Sequence, residues 1–136
     1  MEPRTLPSAI GARAEAAVAS ALVRAGRAVF LPAFAAHERV DLVYLGDDRP
    51  IRVQCKAARV VRGVLIFKTC SYTANRPRAY TDEIDEFGVY AVTTGVVYLV
   101  PAAGLPDREC TLRLEPVRNG QSARIRWAGD YLLGPP

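Results

Sequence analysis

The chain has 136 residues, 18 basic and 14 acidic, with a net charge of +4 and a pI near 9.2. That length predicts one domain, residues 1–136, and with 50% of its residues hydrophobic the chain can bury a core and is not disordered. The charge suits a polyanionic partner; no apolar run is long enough to span a membrane, and the single histidine, His37, excludes zinc sites built on clustered histidines and argues against a Ser-His-Asp triad.

In chain order, Pro7-Ser8 opens an alanine-rich segment that runs to Ala25 and stops at Gly26. Ser8 is the expected N-cap and Gly26 the expected residue just past the helix end. At the helical angle per residue, Ile10, Ala14, Ala17, Val18, Ala21, Leu22 and Ala25 share one face, with Glu15 at its edge beside Val18 and Leu22. Strand patterns follow at Ala28–Leu31, Val40–Leu45, Ile51–Ala57 and Val64–Thr69, broken by Pro32, Gly46-Asp47-Asp48 and Arg62-Gly63, and they predict a β-meander. Cys70–Asp82 is polar, contains Asn75-Arg76-Pro77-Arg78, and reads as a loop. Glu83–Phe87 is expected to form a short helical turn, with Asp85 suited to its dipole. Val89–Val92, Val96–Val100 and Thr111–Leu114 read as strands, Pro116–Ser122 as a loop and Ile125–Leu132 as a closing segment. A helix followed by strands predicts an α/β fold of the α+β kind.

Candidate chemistry lies in the third strand. Ile51, Val53, Cys55 and Ala57 share one face; Arg52, Gln54 and Lys56 share the other, which sets Gln54 and Lys56 about 7 Å apart along the strand. The hairpin at Gly46-Asp47-Asp48 brings Asp41 back beside the middle of that strand, and Glu15 reaches in from the helix. Two carboxylates and an amide oxygen suit a hard divalent cation, and a nearby lysine suits water orientation or stabilisation of charge growing on phosphorus. Taken singly, such residues are more often a solvated strand face or a turn acceptor. Charges set in strands that look internal are costly unless paired or bound to metal, which favours the joint reading. Lysine is also rare here: of the 18 cations only Lys56 and Lys68 are lysine.

Gly11-Ala12-Arg13-Ala14-Glu15 on the helix, Asp41 in the second strand and Gln54-Cys55-Lys56 in the third resemble the core of the PD-(D/E)XK nuclease superfamily. The chain is more similar still to its branch of group I intron-associated homing endonucleases. That likeness extends through Phe67-Lys68-Thr69-Cys70-Ser71, Asn75-Arg76, Tyr80, Ile84-Asp85-Glu86-Phe87-Gly88-Val89-Tyr90, Tyr98-Leu99-Val100-Pro101, Leu112-Arg113-Leu114-Glu115-Pro116 and Ile125-Arg126-Trp127-Ala128. The resemblance implies a restriction-endonuclease-like core, a central mixed β-sheet with a long N-terminal helix. It implies hydrolysis of phosphodiester bonds in double-stranded DNA with Mg2+ or Mn2+, through the catalytic set Glu15, Asp41, Gln54 and Lys56, of which Asp41, Gln54 and Glu15 would ligate the metal. Val40 stands before Asp41 where proline is common. Gln54 replaces the acidic residue of the superfamily motif, as the intron-associated branch does. The missing charge forfeits about 4 kcal/mol per unit of metal charge at 4 Å and an effective dielectric of 20, so metal is expected to bind weakly without DNA.

Ser71, Asn75, Arg76, Arg78 and Tyr80 are the expected DNA-facing residues, since arginines interleaved with aromatics suit phosphate contact and stacking. A homodimer or homotetramer is expected, because each strand needs its own site. The alternatives are a structure-specific nuclease that resolves branched junctions and an inactive DNA-binding module. His37 is expected to be a loop residue, and Trp127 and Phe87 to be core. Met1-Glu2-Pro3-Arg4 has no apolar stretch and cleavage site after it, and Cys55, Cys70 and Cys110 show neither disulfide nor zinc spacing; both point to the cytoplasm.

Overall fold

The computed structural model describes residues 7–34, 39–116 and 125–135. His37 and most of the expected Pro116–Ser122 loop lie outside them. Helix α1 spans Pro7–Arg24. It starts one residue before Ser8, so the expected N-cap is already inside the first turn, and Pro7 takes the position where a missing N–H costs nothing. Its end is as expected: Gly26 adopts φ +84°, the Arg27 amide donates to the Leu22 carbonyl at 2.9 Å and the Gly26 amide to the Val23 carbonyl at 3.0 Å. Ala14, Ala17, Val18, Ala21 and Leu22 form the buried face. These small residues let the helix lie close on the sheet. At Gly88 the fit is closest, since an added Cβ would stand 2.5 Å from Val18 Cγ1.

The strands are β1 (Val29–Phe30), β2 (Leu42–Leu45), β3 (Pro50–Val61), β4 (Val64–Lys68), β5 (Cys70–Thr73), β6 (Arg76–Ala79), β7 (Glu86–Ala91), β8 (Val97–Pro101), β9 (Glu109–Arg113) and β10 (Leu132–Gly134). A short 3-10 turn at Ala128–Tyr131 precedes β10. The expected meander is present: β1, β2, β3 and β4 pair in succession, all antiparallel. The sheet runs β1-β2-β3-β7-β8-β10, and β4 and β9 form a branch attached to β3. Among the described strands β3 and β7 alone pair in parallel, in register from Val53 with Glu86 to Ala58 with Ala91, and an isolated parallel bridge joins Arg113 to Trp127. The architecture is α+β, one N-terminal helix on a mixed, curled sheet.

Two expectations need correction. The Cys70–Asp82 segment is not a loop but the hairpin β5–β6, whose turn places Ala74 at φ +50° and Asn75 at φ +63°. Both central residues are left-handed, the turn that matches strand twist, and a proline on an isolated two-stranded ribbon disrupts no larger sheet. Glu83–Phe87 is not helical: Asp82 turns the chain at φ +55°, and β7 begins at Glu86.

The 12-residue strand β3 organises the molecule. On its helix side Val53 and Cys55 join Leu42 and Tyr44 beneath α1. On its other side a second core gathers Leu65, Phe67, Tyr80, Phe87, Val89 and Leu112. Along one edge β2 accompanies β3 as far as Val53, and β4 pairs with it only from Arg59 onward. Between those points that edge of β3 has no neighbouring strand among the described residues.

Candidate active site

Asp41 enters this gap. Its amide donates to the Val53 carbonyl at 2.9 Å, and its Oδ2 accepts the Cys55 amide at 2.8 Å, the first edge amide of β3 beyond β2. The side chain thus replaces a strand partner, which fixes where the carboxylate points. Burial pushes its pKa up to about 6; the Cys55 amide opposes the rise, the neighbouring Glu15 carboxylate adds to it, and Lys56 opposes it. Glu15 projects from the exposed side of α1 at the edge of its buried face, as its spacing predicts. Burial, then the charges of Asp41 and Glu15, push the Cys55 thiol up. Two negative groups therefore act on one spot.

Gln54 and Lys56 share the face opposite α1. Lys56 Nζ donates to the Cys70 carbonyl at 3.2 Å and lies 4.9 Å from the centre of the Tyr80 ring. The Gln54 amide nitrogen donates weakly to the Cys55 carbonyl at 3.5 Å, while its Oε1 is buried and has no hydrogen-bond partner among the described residues. A buried acceptor left unpaired costs about 1–3 kcal/mol, which a ligand bound here would recover. A desolvated carboxylate at Asp41, with Glu15 acting on it, and a partnerless amide oxygen on the adjoining strand are the oxygen donors a hard cation takes. Among the described residues no three His, Cys, Asp or Glu side chains cluster.

The hairpin sorts the DNA-facing candidates. Ser71 pairs with Arg78 and Thr73 with Arg76, which puts Ser71, Arg76 and Arg78 on one face of the ribbon, with Asn75 in its turn. Arg76 and Asn75 are exposed; Arg78 is exposed too, but its guanidinium bonds to Glu83 at 3.3 Å. Tyr80 does not join them. It is buried at 6% exposure, edge-on to Phe87 at 5.5 Å, and its ring lies under the Arg39 guanidinium at 3.8 Å. The polar surroundings that suggested an outward ring belong to the hairpin, and Tyr80 sits one residue past it, where the chain turns into the second core. Tyr72 is the exposed aromatic of this ribbon. Phe87 is core, as expected, and Trp127 is half-buried in a bridge to Arg113.

Arg39, Glu83 and Asp85 were not singled out for these positions. Asp85, expected to serve a helix, instead bonds to Arg52 and Arg49. Only the proximity of Arg39 to Asp41 in the chain could have flagged it.

The model of the PD-(D/E)XK endonuclease family matches residues 7–134. The chain belongs to the PD-(D/E)XK endonuclease family. Glu15, Asp41, Gln54 and Lys56 all lie inside the matched span. No curated protein matches the chain by sequence. Among solved structures, that of a bacterial homing endonuclease, I-Ssp6803I, is similar, with a TM-score of 0.72 and 18% identity over 93% of this chain and 88% of that one. At that identity the likeness is one of fold, and the fold is restriction-endonuclease-like.

Proposed function

We propose that the chain is a divalent-metal-dependent endonuclease that hydrolyses phosphodiester bonds in double-stranded DNA, in the manner of a homing endonuclease. The observation that carries this reading is the partnerless buried Oε1 of Gln54, on the strand whose edge gap holds Asp41 and whose next outward residue is Lys56. Asp41, Gln54 and Glu15 would hold Mg2+ or Mn2+. When bound, such a cation neutralises phosphate charge and lowers the pKa of water beside it. The chain's own residues supply the rest. Asp41 is locked by the Cys55 amide, so its free lone pairs are presented without rearrangement. Lys56 is a compact donor whose hold on the Cys70 carbonyl can be exchanged for a water or a phosphate oxygen. Ser71, Asn75, Arg76 and Arg78 on the hairpin would track the DNA backbone.

The reading takes residues 1–136 as one nuclease-like domain that works as a homodimer or homotetramer in the cytoplasm. Exposed Phe30 in the short edge strand β1, with exposed Leu31 next to it, supports assembly, since exposed large apolar side chains suit a subunit interface. Three unpaired, buried cysteines are in keeping with a reducing compartment. No described helix is long and apolar enough to cross a membrane.

Cleavage selection from a random duplex library with Mg2+ or Mn2+ tests the activity and recovers the target. Wild type should cut, and Lys56→Ala and Lys56→Arg should keep only residual cleavage, because alanine offers no donor and a guanidinium is broader and stays protonated. Cleavage of branched junctions but of no linear duplex would instead favour a structure-specific nuclease. DNA binding without cleavage would leave an inactive binding module, and a fully active Lys56→Arg would reduce Lys56 to a surface cation.

A further inference from the structure

Resting on the nuclease reading above, we propose that Arg39 is a positioning residue for Lys56: stacked on Tyr80 and bonded to the hairpin, it fixes the aromatic wall and the backbone carbonyl against which the lysine amine is held.

The Arg39 side chain is only 14% exposed, unusual for an arginine two residues from a gap in the sheet. Its guanidinium carbon stands 3.8 Å from the centre of the Tyr80 ring, a stacking distance. Its Nη2 donates to the Arg78 carbonyl on β6 at 3.0 Å, and its Nε lies 3.3 Å from Glu83 Oε2. Glu83 in turn binds Arg78 at 3.3 Å, so one carboxylate joins both arginines. Lys56 meets the same assembly, with Nζ 4.9 Å from the same ring and 3.2 Å from the Cys70 carbonyl. Cys70 opens β5 and pairs with Ala79, so the two cations grip the two strands of one ribbon close to its base.

This arrangement does not suit direct DNA contact. Arg39 Nε and Nη1 are buried and make no hydrogen bonds among the described residues. Buried donors cannot reach a phosphate. The planar fork does something lysine cannot do, which is to cover a ring face while one N–H reaches sideways to a backbone carbonyl. Removing it frees the Tyr80 ring and the β6 backbone to shift, and the Lys56 amine loses its fixed wall.

The test uses the full chain, Mg2+ and a duplex recovered from wild-type selection. Arg39→Ala and Arg39→Lys should each lower kcat about ten- to a hundredfold, the scale expected of a misplaced reacting group, with KM within about threefold. Introduced into Lys56→Ala protein, Arg39→Ala should lower residual kcat no further, since coupled residues are not additive. Equal factors in both backgrounds, a rise in KM without loss of kcat, or wild-type kcat in Arg39→Lys would each overturn the proposal. A second arm needs no activity. The chain has two lysines, Lys56 and Lys68, so Lys68→Arg assigns the Lys56 ε-methylene resonance by NMR. In wild type it should be shifted upfield by the Tyr80 ring, and in both folded Arg39 variants it should move to the position of a solvated lysine. A Lys56 signal unmoved in both variants overturns the placement. A wild type that cuts no DNA overturns the nuclease reading and leaves the placement to be decided by the NMR arm.

Discussion

Arg52 and Asp85 hold each other through both backbone and side chain. The Arg52 amide and Nε donate to Asp85 Oδ2 at 2.8 and 3.1 Å, and the Asp85 amide donates back to the Arg52 carbonyl at 2.9 Å. This clip lies just ahead of the parallel pairing of β3 with β7. Parallel strands have no hairpin to set their register, so a side-chain clip takes that role.

Acid stability should show it. The Arg52 guanidinium, then its amide and Arg49, hold the Asp85 carboxyl well below the usual carboxylate range, against the smaller effect of burial. A depressed pKa contributes stability above the unfolded value near 4 and loses it as pH falls below that value. Asp85→Asn should lower the thermal midpoint at pH 7, at a cost of about 1–2 kcal/mol. Its deficit should shrink below about pH 4. Melting curves at both pH values check this, and a constant deficit would place the loss in packing instead.

Asp41 behaves in the opposite sense. Its carboxyl titrates near 6 rather than the unperturbed 3.8, so ionising it costs folding free energy as pH rises between those values. Asparagine stays neutral and still offers an oxygen to the Cys55 amide. In metal-free buffer at pH 8, Asp41→Asn should be the more stable protein by on the order of 1 kcal/mol, a figure held down by solvent screening of a partly exposed group. The gain should vanish near pH 4, and the variant should not cleave. Urea titrations with a cleavage assay decide; a less stable variant at pH 8 would mean that the carboxylate already has a cationic partner.

Gln54→Glu keeps the side-chain length and adds a charge. Metal should bind more tightly without DNA, yet the rate should equal or fall below wild type, because only interactions stronger in the transition state raise it. Gln54→Ala should raise the metal requirement and slow cleavage. Calorimetric titration of Mg2+ or Mn2+ into the three proteins, followed by cleavage at graded metal, is the measurement. No change in the glutamate variant would remove Gln54 from the metal's ligands.

Gly88→Ala tests how tightly the helix sits. The new Cβ would stand 2.5 Å from Val18 Cγ1 and 3.2 Å from Val53 Cγ1. Overpacking of this kind costs about 1–3 kcal/mol. Adding Val18→Ala should recover part of the loss, because the colliding methyls are gone. Denaturation midpoints of the single and double variants settle the matter, and an additive loss would show that the helix shifts rather than collides.

What the bare sequence made legible followed periodicity. Helix α1, its Gly26 terminus and the meander of β1 to β4 all come from apolar spacing and turn residues that act locally. The two faces of β3 were legible too, because alternation needs no knowledge of the partner strand. The hairpin β5–β6 was not, since its turn, Ala74-Asn75, lacks a glycine and its strands are polar on both sides. Nor was the inward turn of Tyr80, which depends on Arg39, 41 residues earlier, reaching across to cover its ring. Long-range polar pairs leave no periodic trace in a single chain.

The alternation along β3 separates two kinds of mutational tolerance within one strand. Val53 and Cys55 answer to the helix, and changes there should act on abundance, heat resistance and refolding. Gln54 and Lys56 point the other way, away from the helix, and can vary in charge or length without touching that packing. A lineage could therefore alter Gln54 and Lys56 while keeping the helix packing intact, and shore up that packing at Val53 without altering either side chain. In a saturation scan scored for both expression and cleavage, Val53, Gln54, Cys55 and Lys56 should alternate between the two classes.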